Sequence, residues 1–476
     1  MATFVCVGCS HRFETDALDA SCEACGSAVL LAGGERPAVA RDDFERLAPG
    51  VWRYRAFLPR ISPRDLVTLG EGGTPLLPAS RVGEELGFKR LMIKDESRNP
   101  TGSFMDRGST VLASLAKEKG IETCSCETTG NLGASLSAYC AKAGIGAEIR
   151  IGSGIDRGKL YQMIAYGAHI DASSRRKKES RADARSIFVT AGNPYILEGE
   201  KTTCFEIVQD LGWKAPDVIL VPVGTGGHLS MFWRAITQLR ESGLLDAPDC
   251  RLVGVQLSGS LPGLGGAPRA RRRGTLEERF TELEDSEPIL MGEAMKAIEE
   301  SGGRWVETSV RETIGATGLL ARTEGIFAEP AAASVIASLQ RARSQGFVDP
   351  DETVVCVITG AGLKDTKAIS RIAKATRQVV MKEDYPVARL QVGETKLLLL
   401  RSLASKPRFG YDLWKSLSSA RRITTASVYQ HLAEMEGMGL VRKTGTIRAK
   451  GRERIFYELT RKGSELLTMA GRMERG

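Results

Sequence analysis

Four cysteines near the N-terminus have the spacing of a metal site. Cys6 and Cys9 form one C-x2-C pair, and Cys22 and Cys25 form a second pair after twelve intervening residues. Four thiolates at tetrahedral positions suit Zn²⁺ and leave no open position for chemistry. A segment of about 30 residues buries too little apolar surface to fold unaided. The pattern predicts a structural zinc ribbon over residues 1–30, with reduced, unligated cysteines as the alternative.

A glycine-rich loop in the middle of the chain has the composition of a phosphate site. It consists of Gly224, Thr225, Gly226, Gly227 and His228. Glycines permit positive φ angles and close backbone approach, and a helix that follows offers free N–H groups and the positive end of its dipole. The loop has neither the Walker lysine nor G-x-G-x-x-G spacing, which disfavours nucleoside triphosphates and dinucleotides. A phosphate site is therefore predicted, against the alternative of a simple tight turn.

The elements around this loop alternate between strand and helix. Residues 217–223 are a short apolar run of buried-strand type, and the apolar residues that follow the loop recur at helical spacing. Residues 123–126 and 132–143 form a second strand and helix, and 252–257 and 353–358 are further predicted strands. This alternation indicates an open α/β architecture with a mainly parallel sheet, in which ligands bind beyond the carboxyl ends of the strands.

Several motifs in this order resemble the threonine synthases, which belong to the tryptophan-synthase-β-like, fold type II pyridoxal phosphate enzymes. The motifs are Glu71-Gly-Gly-Thr-Pro-Leu76, Lys94-Asp-Glu-Ser-Arg-Asn-Pro-Thr-Gly-Ser-Phe-Met-Asp-Arg-Gly108, Thr129-Gly-Asn-Leu132, Val223-Gly-Thr-Gly-Gly-His228 and Thr359-Gly-Ala-Gly-Leu-Lys-Asp365. The resemblance covers roughly residues 1–375 and implies two subdomains with parallel sheets. We expect the ribbon at 1–30 to be followed by a synthase-like domain at 31–375 and a linker at 376–388.

The resemblance also implies roles for individual residues. The loop Gly224 to His228 matches the phosphate cradle of the cofactor, although the family usually has asparagine where Thr225 stands. Asn131 matches the asparagine that binds the pyridoxal 3′-oxygen, and Thr359 the hydroxyl that faces the pyridine nitrogen. Ser103 and Arg107 are candidate contacts for a substrate phosphate.

Met105 departs from this pattern at the residue that matters most for catalysis. The family has lysine there, and that lysine forms the imine with pyridoxal phosphate and moves protons. A thioether has no amine and no titratable proton, although its similar length preserves the packing. Three explanations remain: a non-catalytic relative that binds the cofactor without a covalent bond or not at all, a substitute lysine such as Lys94 or Lys159, or an engineered lysine-to-methionine change.

The C-terminal residues 389–476 resemble a PadR-like winged helix. Helices are predicted at 394–404, 410–417 and 425–438, with Thr424 as the N-cap of the third. Strands at 440–446 and 454–459 form a hairpin, and a last helix begins near residue 460. The matching motifs are Ser427-Val-Tyr-Gln-His-Leu432, Gly439-Leu-Val441 and Tyr457-Glu-Leu-Thr-Arg-Lys-Gly463.

The charge of this region favours DNA as its partner. From Pro386 onward there are 18 Lys and Arg against 8 Asp and Glu, a net charge of +10, while the rest of the chain carries −2. Such a module suits a polyanion, and the alternative is a domain used only for dimerisation or protein binding. Candidate contacts are Thr425, Ser427, Tyr429 and Gln430 in the recognition helix and Arg448, Lys450, Arg452 and Arg454 in the wing.

Composition excludes several classes of protein. With 42% hydrophobic and 26% charged residues the chain is typical of globular proteins, and it has no apolar run long enough for a membrane span. No secretory signal is recognisable, so we expect a cytoplasmic protein that works as a homodimer.

Two functions compete: a threonine synthase with a DNA-binding appendage, and a transcriptional regulator whose synthase-like domain senses an amino-acid-type ligand. Met105 favours the regulator.

Overall fold

The computed structural model describes residues 1–33, 37–128, 130–152, 155–172, 185–245, 250–258, 289–365, 387–418, 423–449 and 452–473. The chain divides into two compact units, Met1–Thr376 and Arg377–Gly476. Residues 376–386 of the predicted linker lie outside the described ranges, and its last two residues begin a helix. Within the described ranges no helix is both long enough and apolar enough to cross a membrane.

The first unit contains strands that belong to three sheets. In chain order its described strands are β1 (Ala2–Cys6), β2 (Arg12–Thr15), β3 (Val29–Leu31), β4 (Leu76–Pro78), β5 (Arg90–Asp95), β6 (Thr123–Thr128), β7 (Gly146–Ile151), β8 (His169–Asp171), β9 (Ser186–Phe188), β10 (Val218–Pro222), β11 (Arg251–Leu257), β12 (Arg304–Thr308) and β13 (Thr353–Ile358).

Helices connect most of these strands. The described α-helices of the first unit are α1 (Arg41–Glu45), α2 (Ser80–Leu86), α3 (Met105–Glu118), α4 (Asn131–Ala143), α5 (Arg157–Ala165), α6 (Pro194–Glu200), α7 (Thr202–Asp210), α8 (Gly227–Glu241), α9 (Met291–Glu300), α10 (Val310–Glu324) and α11 (Pro330–Ser344). Short 3₁₀ helices span Val51–Phe57, Pro63–Asp65, Glu96–Arg98 and Gly362–Lys364.

Two of the sheets are mainly parallel, which confirms the predicted fold class. The larger has the order β12-β11-β10-β13-β5-β4, and only its edge strand β4 runs antiparallel to its neighbour. The smaller has the order β8-β7-β6-β9 and is parallel throughout. Two parallel sheets in one unit match the two-subdomain arrangement that the sequence motifs imply.

The physical reason for these elements is visible at the centre of the larger sheet. All five residues of β10 are buried, as expected for a strand covered on both faces. In α8, Leu229, Phe232, Ile236 and Leu239 recur at helical spacing and are all buried. Strand β13 begins and ends where the sequence predicts, and α4 begins one residue earlier, at Asn131.

The N-terminal ribbon is the third sheet, with the antiparallel order β2-β1-β3. Phe4 of β1 is fully buried and meets Tyr195 of α6 edge-to-face, with ring centroids 6.0 Å apart. This contact joins the ribbon to the main body of the unit.

The second unit has the predicted order of helices and hairpin. Its described elements are α12 (Val387–Leu403), β14 (Arg408–Phe409), α13 (Gly410–Ser418), α14 (Thr425–Gly437), β15 (Val441–Ala449), β16 (Arg452–Leu459) and α15 (Arg461–Met473), and its sheet order is β14-β16-β15. The Thr424 hydroxyl accepts the backbone N–H of Ser427, which confirms the N-cap of α14.

Two predicted boundaries in this unit were wrong. The first helix begins at Val387 rather than near residue 394. The hairpin strands also continue beyond the predicted ends at residues 446 and 454, because Ala449 pairs with Arg452. Cross-strand pairing keeps residues in the extended conformation up to the turn. The basic residues near the tip were therefore predicted to lie in the turn, although they continue the strands.

Candidate functional site

A cavity of about 530 Å³ lies where three parallel strands end. Thr128 ends β6, Pro222 ends β10 and Thr359 directly follows β13, and all three residues line the cavity. The first residues of α3 and α4, Met105 and Asn131, also line it. A larger cavity, about 710 Å³, lies between the ribbon and the four-stranded sheet, and none of the predicted cofactor residues lines it. The chemistry predicted from sequence therefore belongs to the smaller cavity.

The glycine loop forms one side of this cavity. Gly226 has a φ angle of 93°, and a Cβ atom there would lie 2.6 Å from the carbonyl oxygen of Leu290. Both the angle and the close contact require glycine. The Thr225 hydroxyl accepts the N–H of Gly227 at 3.4 Å. Among the described residues no side chain caps the N-terminus of α8, so this end of the helix can accept an anion.

His228, the second residue of α8, is buried as a neutral imidazole. Its ring stacks on Phe104, with centroids 4.2 Å apart, and meets Phe232 edge-on at 5.0 Å. Nε2 lies 3.4 Å from the Thr203 hydroxyl, whereas Nδ1 has no hydrogen-bond partner among the described residues. Burial lowers the pKa of His228 to about 3, so the ring carries no charge near neutral pH.

Asn131 faces a carboxylate that comes from a distant part of the chain. Its Nδ2 donates to Glu329 Oε2 at 2.9 Å, and Glu329 Oε1 lies 3.3 Å from Lys159 Nζ. Lys159 and Glu329 are both almost completely buried. Asn131 Oδ1 is buried and lacks a partner in the described part of the chain. The carboxylate thus orients the amide so that its oxygen is available to a ligand.

Thr359, which directly follows β13, is another residue of the cavity wall. Its side chain lines the cavity, and its carbonyl oxygen accepts the N–H of Phe104 at 3.1 Å. Phe104 precedes Met105 at the start of α3, so this bond ties the strand end to the helix start. The structure therefore brings Asn131, Thr359 and the glycine loop to one cavity.

Met105 occupies the wall where the motif predicts a lysine. Its side chain is partly buried against the core of the smaller sheet, and its N–H donates to the Ser103 hydroxyl at 3.4 Å. Neither lysine nor arginine occurs among the described residues that line the cavity. The described wall therefore offers a ligand no side-chain amine.

Lys94 lies in strand β5, away from the cavity wall. Its Nζ donates to the Thr74 carbonyl at 2.7 Å and to Asp210 Oδ2 at 3.0 Å, and it lies 2.9 Å from Glu206 Oε2. The side chain is fully buried. Lys94 is thus a structural ion-pair partner in a strand and lies outside the described cavity wall.

Ser103 and Arg107 are also placed outside the described wall. Both are fully buried. The Arg107 guanidinium donates to Glu96 and Glu206, and further to the hydroxyls of Thr74 and Thr202. With its donors bound to these groups, Arg107 is not presented to a phosphate in the cavity.

The sequence analysis did not single out several wall residues, among them Phe104, Glu329 and Glu200. Glu329 is followed by proline at the first position of α11, which signals a helix start but not a site. Glu200 ends α6 and is 1% exposed, and burial raises the pKa of its carboxyl well above the ordinary value of 4.5. It stands between other charged residues in sequence, a pattern typical of a solvated helix end.

The four N-terminal cysteines do come together. Their Sγ atoms all lie within 4.8 Å of one another, with Cys6 and Cys25 3.4 Å apart and Cys9 and Cys22 3.6 Å apart. A tetrahedral zinc with Zn–S bonds of about 2.3 Å separates its sulfurs by about 3.8 Å. The backbone N–H groups of Gly8 and Cys9 point to Cys6 Sγ at 3.3 and 3.4 Å, which stabilises a thiolate there.

In the second unit, the predicted DNA-contacting residues lie on two elements. Tyr429 and Gln430 of α14 are exposed, whereas Thr425 and Ser427 are partly buried. In the wing, Arg448 pairs with Glu453 and Arg452 with Ala449 across the hairpin. The Arg454 guanidinium covers the ring of Phe409 at 4.6 Å. Lys450 lies outside the described residues.

Comparisons with known proteins match both units. The profile of the pyridoxal-phosphate dependent enzymes matches residues 67–360, and that of the transcriptional regulator PadR-like family matches residues 399–469. Threonine synthase from Methanocaldococcus jannaschii is 36% identical over 384 residues, which cover 78% of this chain and 94% of that protein. Threonine synthase from Methanosarcina acetivorans is 35% identical, over 76% and 92% of the two chains, and that from Mycobacterium tuberculosis is 39% identical, over 67% and 89%.

Proposed function

This chain belongs to the family of pyridoxal-phosphate dependent enzymes, and on that premise we propose that it is a ligand-responsive transcriptional regulator. In this proposal the threonine-synthase-like unit binds an amino-acid-type ligand, and the PadR-like unit binds DNA. The observation that carries it is Met105 on a cavity wall whose described residues include no lysine.

Pyridoxal 5′-phosphate fits the polar groups of this wall. Asn131 Oδ1 and His228 Nδ1 are buried without a partner in the described part of the chain, and a ligand that binds here can satisfy them. The glycine loop and the start of α8 line the same cavity as Thr359, so this helix start could hold a phosphate while Thr359 contacts the ring. When bound, this group withdraws electrons from a substrate carbon.

Met105 makes the binding of that group reversible in this proposal. A thioether packs against a ring through dispersion, but it forms no covalent bond to an aldehyde and carries no proton to transfer. Asn131 and Thr359 can still orient the ring, and the uncapped start of α8 can still hold the phosphate. A pocket that binds without turnover suits a sensor better than an enzyme.

An active threonine synthase is the alternative function, and the position of Lys159 is the observation in its favour. Its Nζ lies 3.3 Å from Glu329, whose side chain lines the cavity. Reduction of the protein with borohydride in the presence of pyridoxal phosphate distinguishes the two functions. A pyridoxyl label on Lys159 would establish the substitute lysine and the enzyme, whereas protein without a labelled lysine in the synthase-like unit supports the regulator.

We propose a structural zinc ion for the four cysteines. Cys6, Cys9, Cys22 and Cys25 would fill its coordination shell completely, so the ion would hold the ribbon together and take no part in chemistry. One equivalent of zinc per chain by elemental analysis, lost from a Cys9→Ser, Cys25→Ser variant, is the expected result. A chain purified without any bound metal would contradict the assignment.

The PadR-like unit supplies the output of the proposed switch. Helix α14 would enter the major groove and the basic wing would contact phosphates, with two copies of the chain on one operator. A ligand alters DNA affinity only if it binds the DNA-competent and DNA-incompetent states differently.

The test is a fluorescence anisotropy titration of DNA from the region upstream of the gene for this chain. Pyridoxal phosphate together with an amino acid should change the Kd for DNA by about 5-fold or more. A Gly226→Ala variant should bind DNA with the unliganded affinity and ignore the ligand. Failure of the wild-type chain to bind DNA at low salt would overturn the proposal.

A further inference from the structure

One of the residues that line the cavity, Glu200, has a buried carboxyl oxygen that the described protein leaves unsatisfied. The residue is 1% exposed and lines the cavity, and its Oε1 has no hydrogen-bond partner in the described part of the chain. Buried carboxyl oxygens are rarely left in this state unless a ligand or an ion completes them.

The packing of two helices fixes Glu200 beside the first turn of α3. A Cβ at Gly199 would lie 1.9 Å from the Arg107 carbonyl oxygen, and one at Gly108 would lie 2.6 Å from the Ile196 carbonyl oxygen. The backbones of α6 and α3 are therefore in direct contact, and Met105 begins α3. Glu200 ends one of these two contacting helices and Met105 begins the other, and both residues line the cavity.

The cations nearest to Glu200 in sequence are engaged elsewhere. Lys201 Nζ pairs with Glu198 and donates to the Phe57 carbonyl at 2.7 Å, and Arg234 lies 3.3 Å from the other oxygen of Glu198. In the described part of the chain Glu200 takes part in no salt bridge. Burial alone raises the pKa of its carboxyl, because no described positive charge offsets the loss of solvent.

We propose that Glu200 recognises an amino group carried by the ligand itself, so that the cavity prefers a vitamin B6 phosphate with its own amine to one with an aldehyde. This inference rests on the proposed cofactor site. Where the family motif places a lysine amine, this wall has Met105, and an amine on the ligand would restore the missing cation next to a carboxyl group. Phosphate and ring contacts are common to both forms of the ligand, so Glu200 decides between them.

The experiment compares pyridoxamine 5′-phosphate with pyridoxal 5′-phosphate by isothermal titration calorimetry on the full chain. We expect the wild-type protein to bind pyridoxamine phosphate about 10-fold more tightly or better, the size of one well-placed charge-assisted contact. In Glu200→Gln the amide keeps the shape of the carboxyl but carries no negative charge, so the preference should fall to about one. Thermal unfolding of this variant checks that it is folded.

Glu122→Gln is the matched control. Glu122 is an exposed carboxylate that pairs with Arg185 and does not line the cavity. Its replacement should leave the preference unchanged. Equal affinities of the wild-type protein for the two ligands, or a preference that survives in Glu200→Gln, would overturn this inference while leaving the cofactor site in place. Failure of both ligands to bind would overturn the cofactor site itself, and the role of Glu200 with it.

Discussion

Arg107 Nη2 lies 2.7 Å from Glu206 Oε2 in a pair that has almost no contact with solvent. Glu96 binds the same guanidinium from the other side, at 2.6 Å. The positive charge of Arg107 holds the pKa of both carboxyls below their ordinary value, against the effect of burial. This network joins α3, α7 and Gly73, whose N–H donates to Glu206, and its residues lie outside the described cavity wall.

Loss of Arg107 should therefore destabilise the first unit. In Arg107→Met, Glu96 stays buried without its ion-pair partner and Glu206 keeps only Lys94, and breaking such a cluster costs about 3–5 kcal/mol. Urea denaturation measures the change in the free energy of unfolding. Arg64→Met, at an exposed pair with Asp65, is the control and should change it by less than about 0.5 kcal/mol. An equally small effect for Arg107→Met would show that the network contributes little.

The buried imidazole of His228 gives stability a pH dependence that can be isolated. Its pKa is about 3 in the folded chain and near 6.5 when unfolded, so the unfolded chain takes up the proton first. The contribution of the neutral imidazole to the free energy of unfolding is complete above pH 6.5 and is lost as pH falls towards 3. By about pH 5 about 2 kcal/mol of this contribution is lost. The low carboxyl pKa values of Glu96 and Glu206 act in the same direction but only below about 4.5. The raised pKa of Glu200 acts in the opposite direction above 4.5, so the contribution of His228 is measured as the difference between a His228 variant and the wild-type chain.

His228→Phe tests this assignment, because phenylalanine keeps the stacking on Phe104 but does not titrate. The variant should lack the loss of about 2 kcal/mol between pH 7.5 and pH 5. His169→Phe, at an exposed position, should retain it. If both variants follow the wild-type curve, the pH dependence arises at another group.

Gly226→Ala should remove the phosphate site. The added methyl group would lie 2.6 Å from the Leu290 carbonyl oxygen, and the positive φ angle costs about 1–2 kcal/mol for any L-residue with a side chain. We expect at least a 10-fold weaker Kd for pyridoxal phosphate, measured by fluorescence. Gly243→Ala has a similar φ angle of 68° but no described atom within 4 Å of its Cβ. It should cost stability alone and leave the Kd unchanged.

Met105→Lys should convert reversible binding into covalent attachment. Residue 105 begins α3 on the cavity wall, so an amine there reaches the same space as the thioether. After incubation with pyridoxal phosphate and borohydride, the peptide containing residue 105 should carry the pyridoxyl group. Met105→Leu should show no attachment. An unlabelled Met105→Lys protein that is folded would mean that the cofactor does not approach this residue.

The sequence predicts the site residues that directly follow strands. It does not predict the site residues that come from distant positions in the chain. Asn131, the glycine loop and Thr359 each follow the carboxyl end of a parallel strand, where ligands bind in such sheets, although Asn131 belongs to the smaller sheet and the other two to the larger. Glu329 contacts Asn131 across 198 residues of sequence, and no spacing pattern connects them. Arg107 was expected at a substrate, but its long side chain turns into the buried network, a direction that sequence does not specify.

Phosphate contacts made by the wing should give the affinity for DNA a defined dependence on salt concentration. Each contact changes the slope of log K against log salt by about 0.9, so Arg448→Gln combined with Arg452→Gln should reduce it by about 2. Arg442→Gln is the control, since its guanidinium lies 2.6 Å from Glu458 and is already neutralised. Anisotropy titrations over a range of salt concentrations give the slopes. A slope that is the same in all three proteins would place the DNA-binding surface away from the wing, and a wild-type chain without any salt dependence would remove DNA as the partner of the second unit.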